Sequence, residues 1–183
     1  MFKKRGRGYL KIALISFGIL SIVLLILLGV ATYIFLGGKN YDSLYNQRLA
    51  DGEIINPVKG LTTEEAVSNF NEDFIYYFLV TLKVYNLKTS SIDGSKPLIQ
   101  FYIENKPYYT LINKGEIYLS EGESSERDLI IYTNKLEVVK MMMDSNYIKQ
   151  SFEEGSSEIE LVSGNAELAS KGYIKIYSKI SGD

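Results

Sequence analysis

The first part of the chain contains one long uncharged segment. Residues 12–36 hold no charged side chain, and their polar interruptions are small or interfacial, such as Gly29 and Tyr33. An α-helix rises about 1.5 Å per residue, so roughly 20 apolar residues span the hydrocarbon core of a bilayer. A cleaved signal peptide has a shorter apolar region, about 7–15 residues, before a small-residue cleavage site. The pattern therefore predicts an uncleaved transmembrane helix over residues 12–36, with the lipid bilayer as its partner.

After this segment the chain shows a connector-like stretch and then helical spacing. Residues 37–61 contain Gly-Gly and Asn-Pro pairs, and we expect a connector, in which a short helix could form around Tyr41–Ala50, before a domain over residues 62–183. Apolar residues at helical spacing predict one helix over about residues 63–86. A capping box starts it, because the Thr62 hydroxyl and the Glu65 carboxylate can each bind a free backbone N–H. The aromatic segment Phe74–Val80 also suits a strand, so its structure stays open.

Two-residue alternation replaces helical spacing after a polar loop. Four strands are predicted, over about residues 99–104, 108–112, 116–120 and 128–133. Short turns separate them, which favours an antiparallel meander. Helices over residues 135–144 and 146–154 follow, then a strand over residues 157–162 and a last helix from Asn165. In the first of these helices, Leu136, Val139 and Met143 are expected to share one side. The sequence predicts an α+β fold, with a roughly five-stranded, mostly antiparallel sheet and helices packed on one face.

Basic residues gather before the transmembrane segment. Five of the 20 lysines and arginines lie in residues 1–11, whereas all 22 acids lie after residue 36. The positive-inside rule places a basic flank in the cytoplasm. We expect residues 1–11 to form a cytoplasmic tail, and the acidic domain to lie outside, on a cell membrane. An acidic domain is a poor surface for nucleic acid, so no nucleic-acid partner is expected.

The missing residue types restrict the chemistry of the domain. The chain has no His and no Cys, which excludes Cys/His zinc sites and catalysis by Ser-His-Asp or Cys-His groups. We therefore expect no catalytic residue, no metal site and no cofactor.

Two groups of carboxylates are the main alternatives to this expectation. The loop before the fourth strand carries four acids: Glu121, Glu123, Glu126 and Asp128. Oxygen ligands suit Ca²⁺, but the spacing does not match an EF-hand, and a solvated loop explains them. Glu153, Glu154, Glu158 and Glu160 could supply a carboxylate pair for acid–base chemistry. Glu158 and Glu160 alternate with Ile159 and Leu161, however, which places them on the solvent face of a strand.

A series of short motifs runs in a fixed order over about residues 98–171. They are Phe101-Tyr102-Ile103, Asn113-Lys114-Gly115-Glu116-Ile117, Glu121-Gly122, Asp128-Leu129-Ile130-Ile131, Gly155 and Ser163-Gly164-Asn165. In this order they resemble the sterol carrier protein 2-like family. One departure is Met143-Asp144-Ser145, where the family often has a glycine between its two middle helices. The resemblance implies an apolar tunnel between sheet and helices that holds a lipid or other hydrophobic molecule.

Eleven residues are candidates for lining such a tunnel. They are Phe101, Ile103, Leu111, Ile117, Leu119 and Ile131 on strands, Met141, Met142 and Met143 on a helix, and Tyr173 and Ile176 on the last helix. Methionine suits adaptable binding surfaces, but three consecutive helical residues cannot all face one cavity. The strand residues could equally fill a closed core.

Two functional hypotheses follow. In the first, a membrane-anchored, non-catalytic domain binds a lipid or other hydrophobic ligand outside the cytoplasm. In the second, the domain is a tethered protein-interaction or structural subunit of a cell-envelope assembly and has no ligand. An empty apolar cavity would favour the first hypothesis, and a packed core with an exposed apolar patch would favour the second.

Overall fold

The computed structural model describes residues 41–181 of the chain. The predicted cytoplasmic tail and the predicted transmembrane segment lie outside the described residues. Within residues 41–181, no helix combines the length and hydropathy needed to cross a membrane. The described residues belong to one compact unit, Asn40–Asp183.

The domain has an α+β fold, as predicted, with seven helices and five strands in the described residues. The helices are α1 (Asp42–Ala50), α2 (Thr63–Ser68), α3 (Glu72–Leu82), α4 (Lys135–Met143), α5 (Tyr147–Glu153), α6 (Asn165–Lys171) and α7 (Ile174–Ser181), with a 3₁₀ turn at Val84–Asn86. The strands are β1 (Leu98–Ile103), β2 (Lys106–Asn113), β3 (Glu116–Glu121), β4 (Leu129–Thr133) and β5 (Glu158–Leu161). The strand order in the sheet is β3-β2-β1-β4-β5.

The pairing of β4 corrects the predicted meander. β1–β2, β2–β3 and β4–β5 are antiparallel, but β4 lies beside β1 and runs parallel to it. The sheet is therefore mixed, although mostly antiparallel. The segment after β3 crosses the sheet and is held by Gln100, whose side chain donates to the Gly122 carbonyl oxygen and accepts from the Ser124 N–H. These bonds account for a polar side chain that is fully buried in the middle of β1.

The predicted helix over residues 63–86 is broken. Its capping box is present, because the Thr62 hydroxyl accepts from the Glu65 N–H and the Glu65 carboxylate accepts from the Thr62 N–H. A second start lies at Asn71, whose side-chain oxygen accepts from the Asp73 N–H and begins α3. The open question over Phe74–Val80 is settled as helix, and this helix is largely buried.

Part of the segment expected to be a connector packs into the domain. Tyr45 of α1 is fully buried, and its ring stacks on Tyr85 with centroids 3.9 Å apart. Its hydroxyl donates to the Gly115 carbonyl oxygen at 3.0 Å. Ile54 and Val58 join the same hydrophobic core. Residues 41–61 therefore contribute to the core.

The registers of the strands and helices correct three further expectations. Ile99, Phe101 and Ile103 share one face of the sheet and belong to the hydrophobic core, whereas Leu111 pairs with Leu98 and lies on the opposite face. On α4 the buried apolar residues are Val138, Val139, Met141 and Met142, while Leu136 and Met143 are exposed. The last predicted helix is divided at Gly172, which ends α6 in the left-handed region at φ 90°.

Candidate functional site

An apolar groove lies between the β4–β5 side of the sheet and helices α6 and α7. Its volume is about 370 Å³, within the usual range of roughly 300–1,000 Å³ for ligand sites. Its walls are Leu129, Ile159, Leu161, Asn165, Leu168, Tyr173, Ile174 and Tyr177. Three of these eight side chains carry a polar group: Asn165 has an amide, and Tyr173 and Tyr177 have hydroxyls, of which that of Tyr173 is bonded to Asp128. The groove therefore offers mainly apolar contacts to a ligand.

The strand wall of the groove follows from alternation along β5. Ile159 pairs with Ile131 and Leu161 pairs with Leu129, which places both on the groove side of the sheet. Because β5 is the last strand of the sheet, its apolar side chains are only partly covered, and Leu161 is 45% exposed.

The helical wall of the groove depends on the break at Gly172. A left-handed residue costs little for glycine and redirects the chain, so α7 starts in a new direction. Tyr173 and Ile176 are then buried, while Ile174 and Tyr177 are 63% and 44% exposed beside the groove. Large exposed apolar side chains grouped around a concave surface are typical of binding sites.

A buried polar cluster holds α6 and α7 against the start of β4. The Asp128 carboxylate accepts from Lys171 Nζ at 2.6 Å, from the Ser163 hydroxyl at 2.9 Å and from the Tyr173 hydroxyl at 2.9 Å. It also accepts from the Leu98 backbone N–H at 2.8 Å. These four bonds fix the ring of Tyr173 as one wall of the groove.

Lys171 is a cation buried among these groups, with a side chain only 2% exposed. Its Nζ lies 2.6 Å from Asp128 Oδ1 and 2.7 Å from Glu167 Oε1. Burial alone lowers the pKa of a lysine, but the hydrogen bonds and charges of Asp128 and Glu167 outweigh it and raise the pKa of Lys171. The amine therefore stays protonated near neutral pH, which does not suit a nucleophilic role.

Tyr173 is held in its neutral form by the same surroundings. Burial and the neighbouring Asp128 carboxylate raise the pKa of the Tyr173 hydroxyl well above its usual value. The hydroxyl therefore stays protonated and donates to Asp128. This hydrogen bond holds the Tyr173 ring in place as part of the groove wall.

A polar cleft of about 510 Å³ adjoins the same cluster. Its walls are Asp93, Ser95, Lys96, Leu98, Leu111, Ser125, Glu126, Arg127, Asp128, Ser163, Glu167 and Lys171. The most buried charges in it, Asp128 and Lys171, neutralise each other. Across residues 41–181, no three acids are grouped in a way that could hold a metal ion.

A second buried cluster joins α4 to α5. The Glu137 carboxylate accepts from Lys140 Nζ, from the Tyr147 hydroxyl and from the Ser151 hydroxyl at 2.8–3.0 Å. Burial raises the pKa of a carboxylate, but these three donors outweigh burial and lower the pKa of Glu137. With its donors supplied by side chains of the two helices, Glu137 links these helices.

The eleven candidate residues fall in different places. Tyr173 lines the apolar groove and Leu111 lines the polar cleft. Eight others pack in the core or against it: Phe101, Ile103, Ile117, Leu119, Ile131, Met141, Met142 and Ile176. Met143 is 39% exposed, and its sulfur accepts from the Thr63 hydroxyl. The structure therefore places most of these candidates in packed positions rather than around the groove.

Seven groove residues were absent from the candidate set. The sequence did contain a signal for Ile159 and Leu161. They alternate with acids in the last predicted strand, which gives that strand one apolar face. Ile174 and Tyr177 are three residues apart, at helical spacing, and both are exposed on α7. The sequence does not show that these two pairs face one groove, because that depends on where α7 packs.

Comparisons with known proteins yield no family. No protein-family model matches the chain, and no curated protein matches it. Among solved structures, a double mutant of the sec-alkyl sulfatase PisA1 is similar with a TM-score of 0.41 and 11% identity. The match covers 58% of this chain and 16% of the sulfatase chain. The matched part is thus a small fraction of that enzyme, and a likeness at this TM-score supports no assignment.

Proposed function

We propose that this protein is a membrane-anchored, non-catalytic binding module that holds a lipid or other hydrophobic ligand outside the cytoplasm. The observation that carries the proposal is the apolar groove of about 370 Å³ beside β5. In this proposal residues 12–36 form the transmembrane anchor and residues 1–11 face the cytoplasm. The same proposal takes the domain to be sterol carrier protein 2-like, with helices packed on one face of the sheet.

The proposed ligand site differs from the tunnel that the sequence resemblance implies. The side chains expected to line a tunnel, such as Phe101, Ile131 and Met141, are fully buried in the core. The groove is instead open at its side, between β5 and α7. An open apolar groove can admit one hydrophobic part of a larger ligand while the rest stays in water.

The buried charges support a binding role over a catalytic one. Lys171, Asp128 and Glu137 are each engaged by several partners within the domain. A catalytic acid or base needs a proton that it can exchange with a substrate. In the proposal these three groups stabilise the fold by linking its helices and strands.

A protein-interaction role is the second candidate function. The observation that favours it is the position of β5 at the end of the sheet, with exposed apolar side chains beside it. In that case the groove receives a protein side chain, and the anchor still keeps the module at the membrane.

A fluorescent fatty acid tests the proposed function. The full chain is held in an amphipol, probe fluorescence is titrated, and the uptake by protein-free amphipol is subtracted because its alkyl chains also take up fatty acid. We expect saturable binding that Ile174→Glu weakens at least tenfold, because the charge enters an apolar groove. Ile92→Glu is the matched control, since Ile92 is equally exposed at 63% and lies away from the groove. Non-saturable uptake, or equal weakening by both variants, would refute the proposal.

A further inference from the structure

The outer edge of β5 has backbone groups that are free to pair. β5 is the last strand in the sheet order, and no strand within residues 41–181 lies beyond it. The Val162 N–H donates to the Asp128 carbonyl oxygen, which makes these two residues a hydrogen-bonded pair. Hydrogen-bonded and non-bonded pairs alternate along an antiparallel ladder. The next bonded pair is therefore Glu160 with Ile130, and the backbone groups of Ile159 and Leu161 point away from β4.

The same two residues direct their side chains into the apolar groove. A strand added beside β5 would lie about 4.8 Å further out. Alternate side chains of such a strand would face the helix side of the sheet, where Ile174 and Tyr177 are exposed. The free edge and the groove are thus two parts of one surface.

The opposite face of β5 carries negative charge. Glu158 and Glu160 point away from the groove, and both are exposed. Within residues 41–181 neither forms an ion pair, although Glu160 accepts a hydrogen bond from the Tyr132 hydroxyl. The remaining side chains of an added strand would lie near these two carboxylates, so lysine or arginine fits there.

We propose that the hydrophobic ligand of this module is an extended segment of another polypeptide, which adds to β5 as a sixth strand. This rests on the proposed function, because the segment places its apolar side chains in the same groove. Its sequence alternates apolar residues, which face Ile174 and Tyr177, with basic residues, which face Glu158 and Glu160. Strand addition at a free sheet edge uses main-chain bonds for affinity and alternate side-chain contacts for specificity.

A polypeptide satisfies this surface better than a lipid tail does. Ile159 and Leu161 together present two N–H and two C=O groups at the edge, which a hydrocarbon chain cannot bind. Each main-chain hydrogen bond adds only a small net gain in affinity, because it replaces bonds to water. Four such bonds and one groove contact predict a weak, reversible complex, which suits a partner captured and released at the membrane.

A seven-residue peptide of alternating valine and lysine is the probe for this inference. Hydrogen exchange of individual amides is measured by NMR on the full chain in amphipol. We expect the Ile159 and Leu161 amides to exchange at least tenfold more slowly with saturating peptide. The Glu160 amide, already bonded to β4, is the internal control. The peptide should also displace the fluorescent fatty acid from the groove.

Two N-methylated peptides separate strand pairing from simple apolar contact. One carries methyl groups on the valine nitrogens and the other on the lysine nitrogens. An added strand uses one set of N–H groups and leaves the other free, so one peptide should lose binding and the other keep it. Equal binding by both, or unprotected Ile159 and Leu161 amides, would overturn the inference. If the fatty acid still binds in that case, the proposed function survives without the polypeptide.

Discussion

At the scale of single residues, Lys171 shows how a buried charge can be structural. Its Nζ is held between Asp128 and Glu167 at 2.6 and 2.7 Å, with almost no exposure to water. In the sequence, the spacing of Glu167 and Lys171 suggests only an ordinary surface pair four residues apart. Its burial could not be predicted, because Asp128 is 43 positions away along the chain. The sequence therefore did not reveal that Asp128 binds both Lys171 and the Tyr173 hydroxyl beside the groove.

Removal of the Lys171 charge should destabilise the domain strongly. Lys171→Met leaves the Asp128 carboxylate buried without its cation, and such losses cost about 3–5 kcal/mol. The expected result in urea denaturation of the full chain is a drop of that size in the free energy of unfolding. Lys175→Met is the matched control, since Lys175 is exposed on α7, and it should change stability by less than about 0.5 kcal/mol. Similar effects of both variants would show that the cluster is not structural.

Thr110 presents the opposite case, a buried hydroxyl with no partner. It is fully buried on β2, and its Oγ1 has no hydrogen-bond partner within residues 41–181. Thr110→Val keeps the shape and removes the unpaired group, so we expect stability to rise by about 1 kcal/mol. Thr133→Val should lower it, because the Thr133 hydroxyl is bonded to the Ser157 hydroxyl at 2.8 Å. Thermal unfolding should show a higher melting temperature for Thr110→Val and a lower one for Thr133→Val. A destabilised Thr110→Val would contradict this account.

At the scale of elements, local patterns predicted the strands but not their neighbours. Alternation such as Ile99, Phe101 and Ile103 fixes a strand and its buried face. The placement of β4 beside β1 depends on the crossing segment held by Gln100, which is a contact between distant residues. The short loop after β3 is typical of a hairpin, whereas its hydrogen bonds to Gln100 hold it across the sheet. The presence of a strand can be predicted from neighbouring residues, whereas the order of strands in the sheet depends on contacts between residues far apart in the chain.

The helix boundaries followed the same division. The capping box at Thr62 was visible in sequence and is present. The new start at Asn71 was also readable, since asparagine followed by two acids is typical of a helix N-terminus. It was missed because the apolar spacing continues across the break. Similarly, the apolar spacing places Leu136, Val139 and Met143 on one side of α4, whereas the helix buries Val138, Val139, Met141 and Met142.

Helix α1 should be needed for the stability of the domain, since it supplies part of the core. Tyr45→Ala removes a fully buried ring stacked on Tyr85, and aromatic-to-alanine changes in cores cost about 3–5 kcal/mol. Leu44→Ala is the control on the same helix, because Leu44 is 42% exposed, and it should cost well under 1 kcal/mol. The measurement is the urea midpoint of the full chain. Equal midpoints would mean that α1 is a connector, as the sequence suggested.

At the scale of the whole molecule, the described part of the chain combines a packed apolar core with an open apolar groove. The core takes most of the side chains that the sequence marked as ligand candidates. Of the eleven large apolar side chains that are exposed within residues 41–181, three line the groove where the sheet ends at β5: Leu161, Ile174 and Tyr177. A binding role for the domain therefore depends on its edge rather than its centre. A tether would raise the local concentration of such a weak site near membrane-bound partners.

The proposed topology can be tested with cysteine labelling, because the chain contains no cysteine. Lys4→Cys reports on the basic tail, and Glu123→Cys reports on an exposed loop of the domain. A membrane-impermeant maleimide added to intact cells should label Glu123→Cys, because the positive-inside rule places the domain outside. Lys4→Cys should label only after the cells are lysed. Labelling of Lys4→Cys alone in intact cells would reverse the orientation and place the groove in the cytoplasm. Recovery of both variants in the soluble fraction would instead remove the anchor from the proposal.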